Sequence, residues 1–521
     1  MFAILPNAKA QFSIPVQDTT FNQTGFAQLN LVNRFESTKQ AVQADGKVLV
    51  SGYGRNTSEI DFDGIVYRLN LNGTLDETFG DGGLVKIDID GAHDYVVETI
   101  VTSDQKILLL LGSTFRIIFI RLLPDGSFDP AFGNDGIMFA TFSQYEYPNS
   151  MVLHADQKIT VIGGKEITTS KSKGILRRFN PDGSPDMTFD DDGVMEVIID
   201  PAKTLDLNKG VIQPDGKLLL TGTYGAAATS AFLAIRLNTD GTYDSDFSGD
   251  GIYFNTLGNA TVGALSECIT VNEQGTIFIG GNAPFGAENM MTILSLKPNG
   301  TINAAFGNFG YQRIPFGIFG AARQILIQPD GKILAGGYAY LTTNTTGFAL
   351  ARMLPNGQMD NTFGIQGRFA SYFPENYAVQ VAADIDLLPD GRLSVPIWLR
   401  ETLNLGNPND EYTCYVMRYL VGITVAAEEP SSFFQNAQVN PNPISGATPA
   451  TLTYSLEKSC EVSVSLFDVE GREIQTLIPA EQRYTGEQSE TITLPEQLPT
   501  GVYFVVLFSE GVYKPIRVVK Q

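Results

Sequence analysis

The sequence is poor in the residues on which most site chemistry rests. Among 521 residues there are two histidines (His93, His154), three cysteines (Cys268, Cys414, Cys460) and one tryptophan, Trp398. This excludes a Cys/His zinc cluster and argues against a histidine-centred catalytic relay. The cysteines are dispersed, which favours buried thiols over a disulfide framework; a Cys268–Cys414 pair stays open for a chain that crosses an oxidising compartment. No run of 18 apolar residues occurs, so no membrane-spanning helix is expected. Basic residues are scarce as well, 35 against 57 acidic ones, for a net charge of −22. Such a field repels phosphate backbones and anionic headgroups and argues against nucleic acid as a partner. No G-x-S-x-G, Walker A, G-x-G-x-x-G unit or HExxH occurs, and no cofactor is expected.

Glycine is what the sequence has in excess, 52 residues, of which sixteen directly follow Asp or Asn. Such dipeptides mark turns, because glycine supplies positive φ and Asx residues tolerate it. They recur with a beat. An apolar strand carrying a turn appears as VQADGKVLVSGY (42–53), VTSDQKILLLLGS (101–113), LHADQKITVIGGK (153–165), IQPDGKLLLTGTY (212–224), VNEQGTIFIGGN (271–282), IQPDGKILAGGY (327–338) and LLPDGRLSVPIW (387–398). The central positions Gly46, Gln105, Gln157, Gly216, Gly275, Gly331 and Gly391 are spaced by 59, 52, 59, 59, 56 and 60 residues.

A second motif, D-x-x-F followed four residues later by Gly, keeps the same period: Asp18/Phe21/Gly25, Asp76/Phe79/Gly83, Asp129/Phe132/Gly136, Asp186/Phe189/Gly193, Asp244/Phe247/Gly251, Asn303/Phe306/Gly310 and Asp360/Phe363/Gly367. Before it lies a strand with a recurrent Arg: Arg68, Arg121, Arg178, Arg236 and Arg352, with Ser295 in one copy and Arg418 in the last. Each period divides into four short strands, in the first copy about 39–43, 47–52, 65–70 and 83–89. Seven such units predict an all-β chain, a seven-bladed β-propeller; a linear β-solenoid is the weaker alternative. The chain enters at a D-x-x-F half-unit and the array leaves after the Arg strand, which predicts that residues 25–33 supply the outer strand of the last blade. If the blade boundary falls at D-x-x-F instead, every blade is contiguous.

These motifs resemble the delta-60 repeat family of secreted bacterial proteins over about residues 17–420. That resemblance implies a fold and no activity. The repeated Asp76, Phe79, Gly83 and Arg68, like Asp129, Phe132 and Arg121, read as structural: the Asp caps a turn or pairs with the Arg, and the Phe fills the space between blades. The acidic stretches 190–193 and 244–250 invite calcium, but neither matches an EF-hand loop, and metal binding there is the lesser reading. His93 and His154 read as surface or loop residues. Trp398 reads as core, with a sugar-stacking platform as its alternative.

At the N-terminus, residues 1–10 look like a truncated signal-peptide remnant, with an A-x-A pattern at Ala8 and Ala10. The repeat array is assigned to 11–425 and a linker to 426–435. From Asn436 to Gln521 alternating strands predict a small Ig-like β-sandwich. Pro441-Asn442-Pro443, the LFDVEGR turn with Gly471, and LPTGVYFV with Gly501 and Tyr503 ahead of a basic final strand holding Lys514 and Lys520 resemble the type A C-terminal sorting domain of the type IX secretion system of Bacteroidota. The resemblance implies passage through the periplasm, the type IX machinery as partner, and a secreted or outer-membrane-surface destination, with those residues as the readout. The functional expectation is a non-catalytic binding or scaffold propeller with a glycan or protein ligand. The alternative is a polysaccharide-active hydrolase or lyase with an axial carboxylate site.

Overall fold

The computed structural model describes residues 16–421 and 434–521 except 19, 57–58, 114–115, 141–144, 169–170, 226–229, 258–262, 287, 343–344, 365, 373–376, 383, 402–411, 446–447, 457, 468–472 and 510–511. The signal-like residues 1–10 and most of the linker therefore lie outside the described residues. All regular structure among the described residues is β.

The first unit is the antiparallel set Arg34–Val42, Val48–Arg55, Asp63–Leu69 and Leu84–Ile87. Its hairpin is closed by Gln43 N donating to Lys47 O and Gly46 N donating to Gln43 O, both 2.9 Å, with Gly46 at φ +83°. The two middle strands are buried on both faces and read as continuous apolar runs, as in ILLLLGS at Ile107–Ser113. The short outer strands alternate, Leu84–Ile87 and Ile137–Ala140 both burying every second residue.

The same four-stranded order repeats along the chain. Each unit shares an apolar core with the next. Leu49, Val66 and Phe79 of the first pack on Val96, Leu109 and Ile118 of the second, and Ile162, Leu176 and Phe189 pack on Leu207, Leu220 and Leu233. The last unit holds Tyr377–Ala382, Arg392–Glu401 and Tyr412–Leu420. Its fourth strand comes from the start of the chain: Phe26–Leu29 pairs with it, Phe26 opposite Met417 and Leu29 opposite Cys414. Phe21, Ala27 and Leu29 then share a core with Phe35 and Val48 of the first unit and with Leu388 and Val416 of the last. The array closes on itself.

The innermost strand begins earlier than the repeat suggested, at Arg34 and not near Lys39, because a bulge interrupts its alternation. The register slips between Ser37 and Lys39, and likewise at Val96/Glu98, Pro148/Ser150, Leu207/Lys209, Ser266/Cys268 and Ala322/Gln324. The facing strand accommodates each kink with a glycine in most units: a Cβ on Gly52 would sit 2.0 Å from Glu36 O, and Gly163, Gly222, Gly281 and Gly337 are equally tight.

After the ring come two antiparallel sheets around one core. Phe434–Asn440, Ala450–Leu456 and Gly486–Ile492 form one, and Glu473–Arg483, Cys460–Phe467, Gly501–Ser509 and Val512–Lys520 the other. Leu452, Tyr454, Val464, Leu466, Val505 and Leu507 meet between them. The strand Glu473–Arg483 was not apparent in the sequence, since its exposed, charged composition gives little periodic signal.

Candidate functional site

The D-x-x-F motif builds the joints of the ring. Arg68 Nε reaches Asp76 Oδ2 at 2.7 Å, with both side chains 5–6% exposed, and Lys47 Nζ meets the same oxygen at 2.9 Å. Thr78 Oγ1 donates to Asp76 Oδ1 at 2.6 Å. Burial raises the Asp76 carboxyl, but the Thr78 and Lys47 hydrogen bonds and the Arg68 charge outweigh it and hold the group well below the usual carboxylate range. The Arg68 guanidinium lies 4.4 Å from the Phe79 ring centre and donates to Pro124 O in the next unit. There Gly126, at φ +89°, presses so close to Phe79 that a Cβ would stand 2.9 Å from its ring. Gly83 N, in turn, donates to Phe79 O at 2.8 Å.

The set recurs as Arg121–Asp129 with Phe132, Arg178–Asp186, Arg236–Asp244 and Arg352–Asp360. Across the closure, Arg418 and Arg392 bind Asp18 at 2.6 and 2.7 Å. In the fifth unit all three charged positions are neutral together, as Thr276, Ser295 and Asn303, and Asn303 Nδ2 donates to Ser295 Oγ at 3.2 Å. These carboxylates are committed to cations and carry no free valence for chemistry. In the acidic stretches, Asp192 and Asp250 each cap the backbone N–H two residues on.

The axis has different residues in each unit. Bulged side chains staple one inner strand to the next: Thr38 Oγ1 donates to Val96 O, Asn149 Nδ2 to Leu207 O and Asn208 Nδ2 to Ser266 O. The residues beside them converge on the centre. Glu98 Oε2 accepts from Lys209 Nζ at 3.0 Å and Ser150 Oγ at 2.8 Å, with Lys39 Nζ at 3.8 Å. Lys39 and Lys209 keep 17% and 19% of their side-chain exposure, so the centre is a largely buried polar cluster. Burial raises Glu98, but the Lys209 and Lys39 charges bring it below its ordinary range. Asp386 is driven well above its own, by burial and then by Asp384.

Near this cluster, in the sixth unit, Phe319 stacks on Tyr338 and meets Tyr340 edge-on, both at 5.5 Å between ring centres. All three rings are partly exposed. The Arg323 guanidinium lies 5.2 Å from the Tyr338 ring and is ion-paired with Glu267. This aromatic shelf stands where the inner strand begins, at the end of the ring that bears the loops between second and third strands.

In the C-terminal unit the P-N-P segment is zipped to the final strand. Asn442 Nδ2 donates to Arg517 O at 2.7 Å, Val519 N donates to Asn442 Oδ1 at 2.9 Å, and Ile444 N donates to Val519 O at 2.7 Å. The peptides before Pro441 and Pro443 are both cis. Tyr503 Oη donates to Pro499 O at 2.8 Å. Lys520 is 4% exposed, its ammonium donating to Pro495 O and, at 3.0 Å, to Glu496 O, whereas Lys514 is partly exposed. Gly471 lies outside the described residues.

A family profile described as a domain of unknown function (DUF5122) beta-propeller matches residues 43–79, 102–132, 154–189, 213–247 and 328–363. A second, described as a secretion system C-terminal sorting domain, matches residues 438–521. The chain carries DUF5122 propeller repeats and a type IX sorting domain. The sorting domain implies Bacteroidota and indicates export to the cell surface or beyond, with the type IX machinery as partner. None of the five repeat matches covers the fifth unit, whose Arg, Asp and Lys positions are neutral. Among curated proteins none matches. Similar solved structures include PorZ, a surface component of the type-IX secretion system of Porphyromonas gingivalis, at 13% identity and a TM-score of 0.39, covering 95% of this chain. A protein of unknown function from Dyadobacter fermentans matches at 10% identity and a TM-score of 0.42, covering 76% of this chain and 98% of its own. The polysaccharide lyase Uly1 matches at 12% identity and a TM-score of 0.40, covering 80% and 94%. The chain spans 60% of the length of the PorZ structure. No helix among the described residues is long and apolar enough to cross a membrane.

The sequence reading singled out joint and sorting residues and missed both the axial cluster and the shelf. Tyr340, which stands where the first copy has Arg55, was the available signal for the shelf. The axial charges change identity from blade to blade and gave none.

Three other residues noted in the sequence are accounted for by packing. Trp398 is half-buried against the closing core. His93 Nδ1 accepts from Phe62 N at 3.0 Å, and His154 Nε2 shares a 2.8 Å hydrogen bond with Thr160. Cys268, Cys414 and Cys460 are free and buried; burial pushes the Cys268 and Cys414 thiols up to about 12.

Proposed function

We propose that this exported chain is a seven-bladed propeller, followed by an Ig-like sorting sandwich from about residue 436, and that it binds a glycan at the aromatic end of its axis without catalysing a reaction. The observation that carries the reading is the shelf of Phe319, Tyr338 and Tyr340 beside the Arg323–Glu267 pair. Flat apolar rings next to a fixed polar fork suit the CH faces and hydroxyls of a sugar. Seven successive four-stranded sets and the shared core between last and first support the blade count. Against catalysis stands Glu98, locked between Lys39, Lys209 and Ser150. In the sorting domain, the exposed edge near Lys514 and the Asn442 zipper are the proposed readout, with Gly501 and Tyr503 shaping the strand; Lys520 serves the interior. A glycan array probed with the full chain tests the reading. Binding that falls at least tenfold in Tyr338→Ala/Tyr340→Ala supports it, and unchanged binding refutes it.

One observation favours hydrolase or lyase chemistry as a second reading: the axial carboxylates are pushed in opposite directions, Glu98 below its ordinary range by the Lys209 and Lys39 charges and Asp386 above its own by burial, the kind of divergence an acid–base pair uses. Release of reducing or unsaturated ends from a bound glycan, abolished in Asp386→Asn, would establish it in place of the first.

A further inference from the structure

Between the first and second units carboxylates gather that, among the described residues, form the one such cluster. Asp61 and Asp63 flank Phe62 at the start of the third strand, Asp88 follows the outer strand, and Asp94 opens the next inner strand. Oxygens of Asp61, Asp63 and Asp88 all lie within 4.8 Å of one another. Two oxygens sharing a Ca²⁺ at about 2.4 Å are at most about 4.8 Å apart, so the three fit one coordination sphere.

The second observation is independent of the clustering. Asp63 and Asp94 are 2% and 0% exposed; Asp63 Oδ1 is buried with no hydrogen-bond partner, and Asp94 has the Ser113 hydroxyl beside it. Their other oxygens are used: Asp63 Oδ2 by Lys86 Nζ at 2.9 Å, Asp94 Oδ2 by Ile89 N at 2.7 Å. A buried carboxylate oxygen without a donor is destabilising, and one that lies within a cluster of carboxylates calls for a cation. Lys86 serves Asp63 and Glu59 together.

The backbone between Asp61 and Asp63 is fixed. Phe62 N donates to His93 Nδ1, Phe62 O accepts from Asp94 N at 2.8 Å, and its ring lies under the guanidinium groups of Arg34 and Arg55 at 4.9 and 4.7 Å.

We propose that Asp61, Asp63, Asp88 and Asp94 form a Ca²⁺ site that clamps the first unit to the second. Hard oxygen donors and a rigid strand edge suit Ca²⁺, and extracellular modules bind it at about 10⁻⁴–10⁻³ M, the free concentration an exported protein meets.

Calorimetric titration and thermal unfolding of the full chain test the site, with CaCl₂ or MgCl₂ added after treatment with EDTA. Asp88→Asn and Asp61→Asn alter exposed or partly exposed positions and leave the packed core intact; Asp192→Asn is the control. Saturable Ca²⁺ binding near one equivalent is expected, with an unfolding constant lowered about 100-fold at 100 times the Kd. Both effects should be weakened at least tenfold in Asp88→Asn and Asp61→Asn and kept in Asp192→Asn. No saturable heat in the native chain, an equal response to Mg²⁺, or an undiminished response in Asp88→Asn would overturn the proposal.

Discussion

Arg68, Asp76 and Phe79 show how one residue triplet does three things at once: the carboxylate caps its turn, neutralises two cations and orients a guanidinium that both covers a ring and grips the neighbouring unit. Removing one member of a buried pair strands the other, at about 3–5 kcal/mol. Asp76→Asn alone is therefore expected to destabilise by that amount in denaturant unfolding. The fifth unit supplies the matched alternative, Ser295 with Asn303. Arg68→Ser/Asp76→Asn should recover part of the loss, with a coupling energy of about 1–3 kcal/mol in a double-mutant cycle; strict additivity would mean that the two side chains act separately.

At the scale of elements, the closing strand Phe26–Leu29 is held by its ladder to Tyr412–Leu420 and by Asp18, which serves Arg418 and Arg392 together. Asp18→Ala leaves two buried or half-buried guanidinium groups without their carboxylate. Hydrogen exchange should then accelerate first in the amides of Phe26–Leu29 and Tyr412–Leu420, before any other unit; uniform acceleration would show that closure is not the weak joint. This element was legible in the sequence because the first and last fragments of the repeat are complementary and the Asp, Arg and Phe positions stay constant. The inner strand was not. Thr38, Val97, Asn149 and Glu267 occupy equivalent bulges with different side chains, and a bulge shifts the alternation that makes a strand recognisable. Glu98 and Lys209 are likewise brought together by a closure that no local pattern encodes, and Asp63 stands out only once Asp88 is seen beside it.

For the whole molecule, two populations of carboxylate set the response to pH. Asp18, Asp76, Asp129, Asp186, Asp244 and Asp360 are all held below their ordinary range by the joint cations and turn hydrogen bonds, which outweigh burial. Their stabilisation is complete above the unfolded value of about 3.9 and is lost as pH falls through the lower folded values. Asp63, Asp94, Asp384 and Asp386 are raised mainly by burial and oppose folding while ionised, so mild acid relieves them. Unfolding followed by circular dichroism should show stability constant or rising from pH 7 to about 5 and collapsing below about 4. A steady decline from pH 7 would contradict this division.

The meeting of Asp18 with Arg418, 400 positions apart in the chain, has a temporal side. Phe26–Leu29 is synthesised well before the strand it pairs with, so until Tyr412–Leu420 emerges the ring has an open seam. A chain bound for export spends that interval with an unsatisfied edge, available to a holding chaperone or to the seam of another copy.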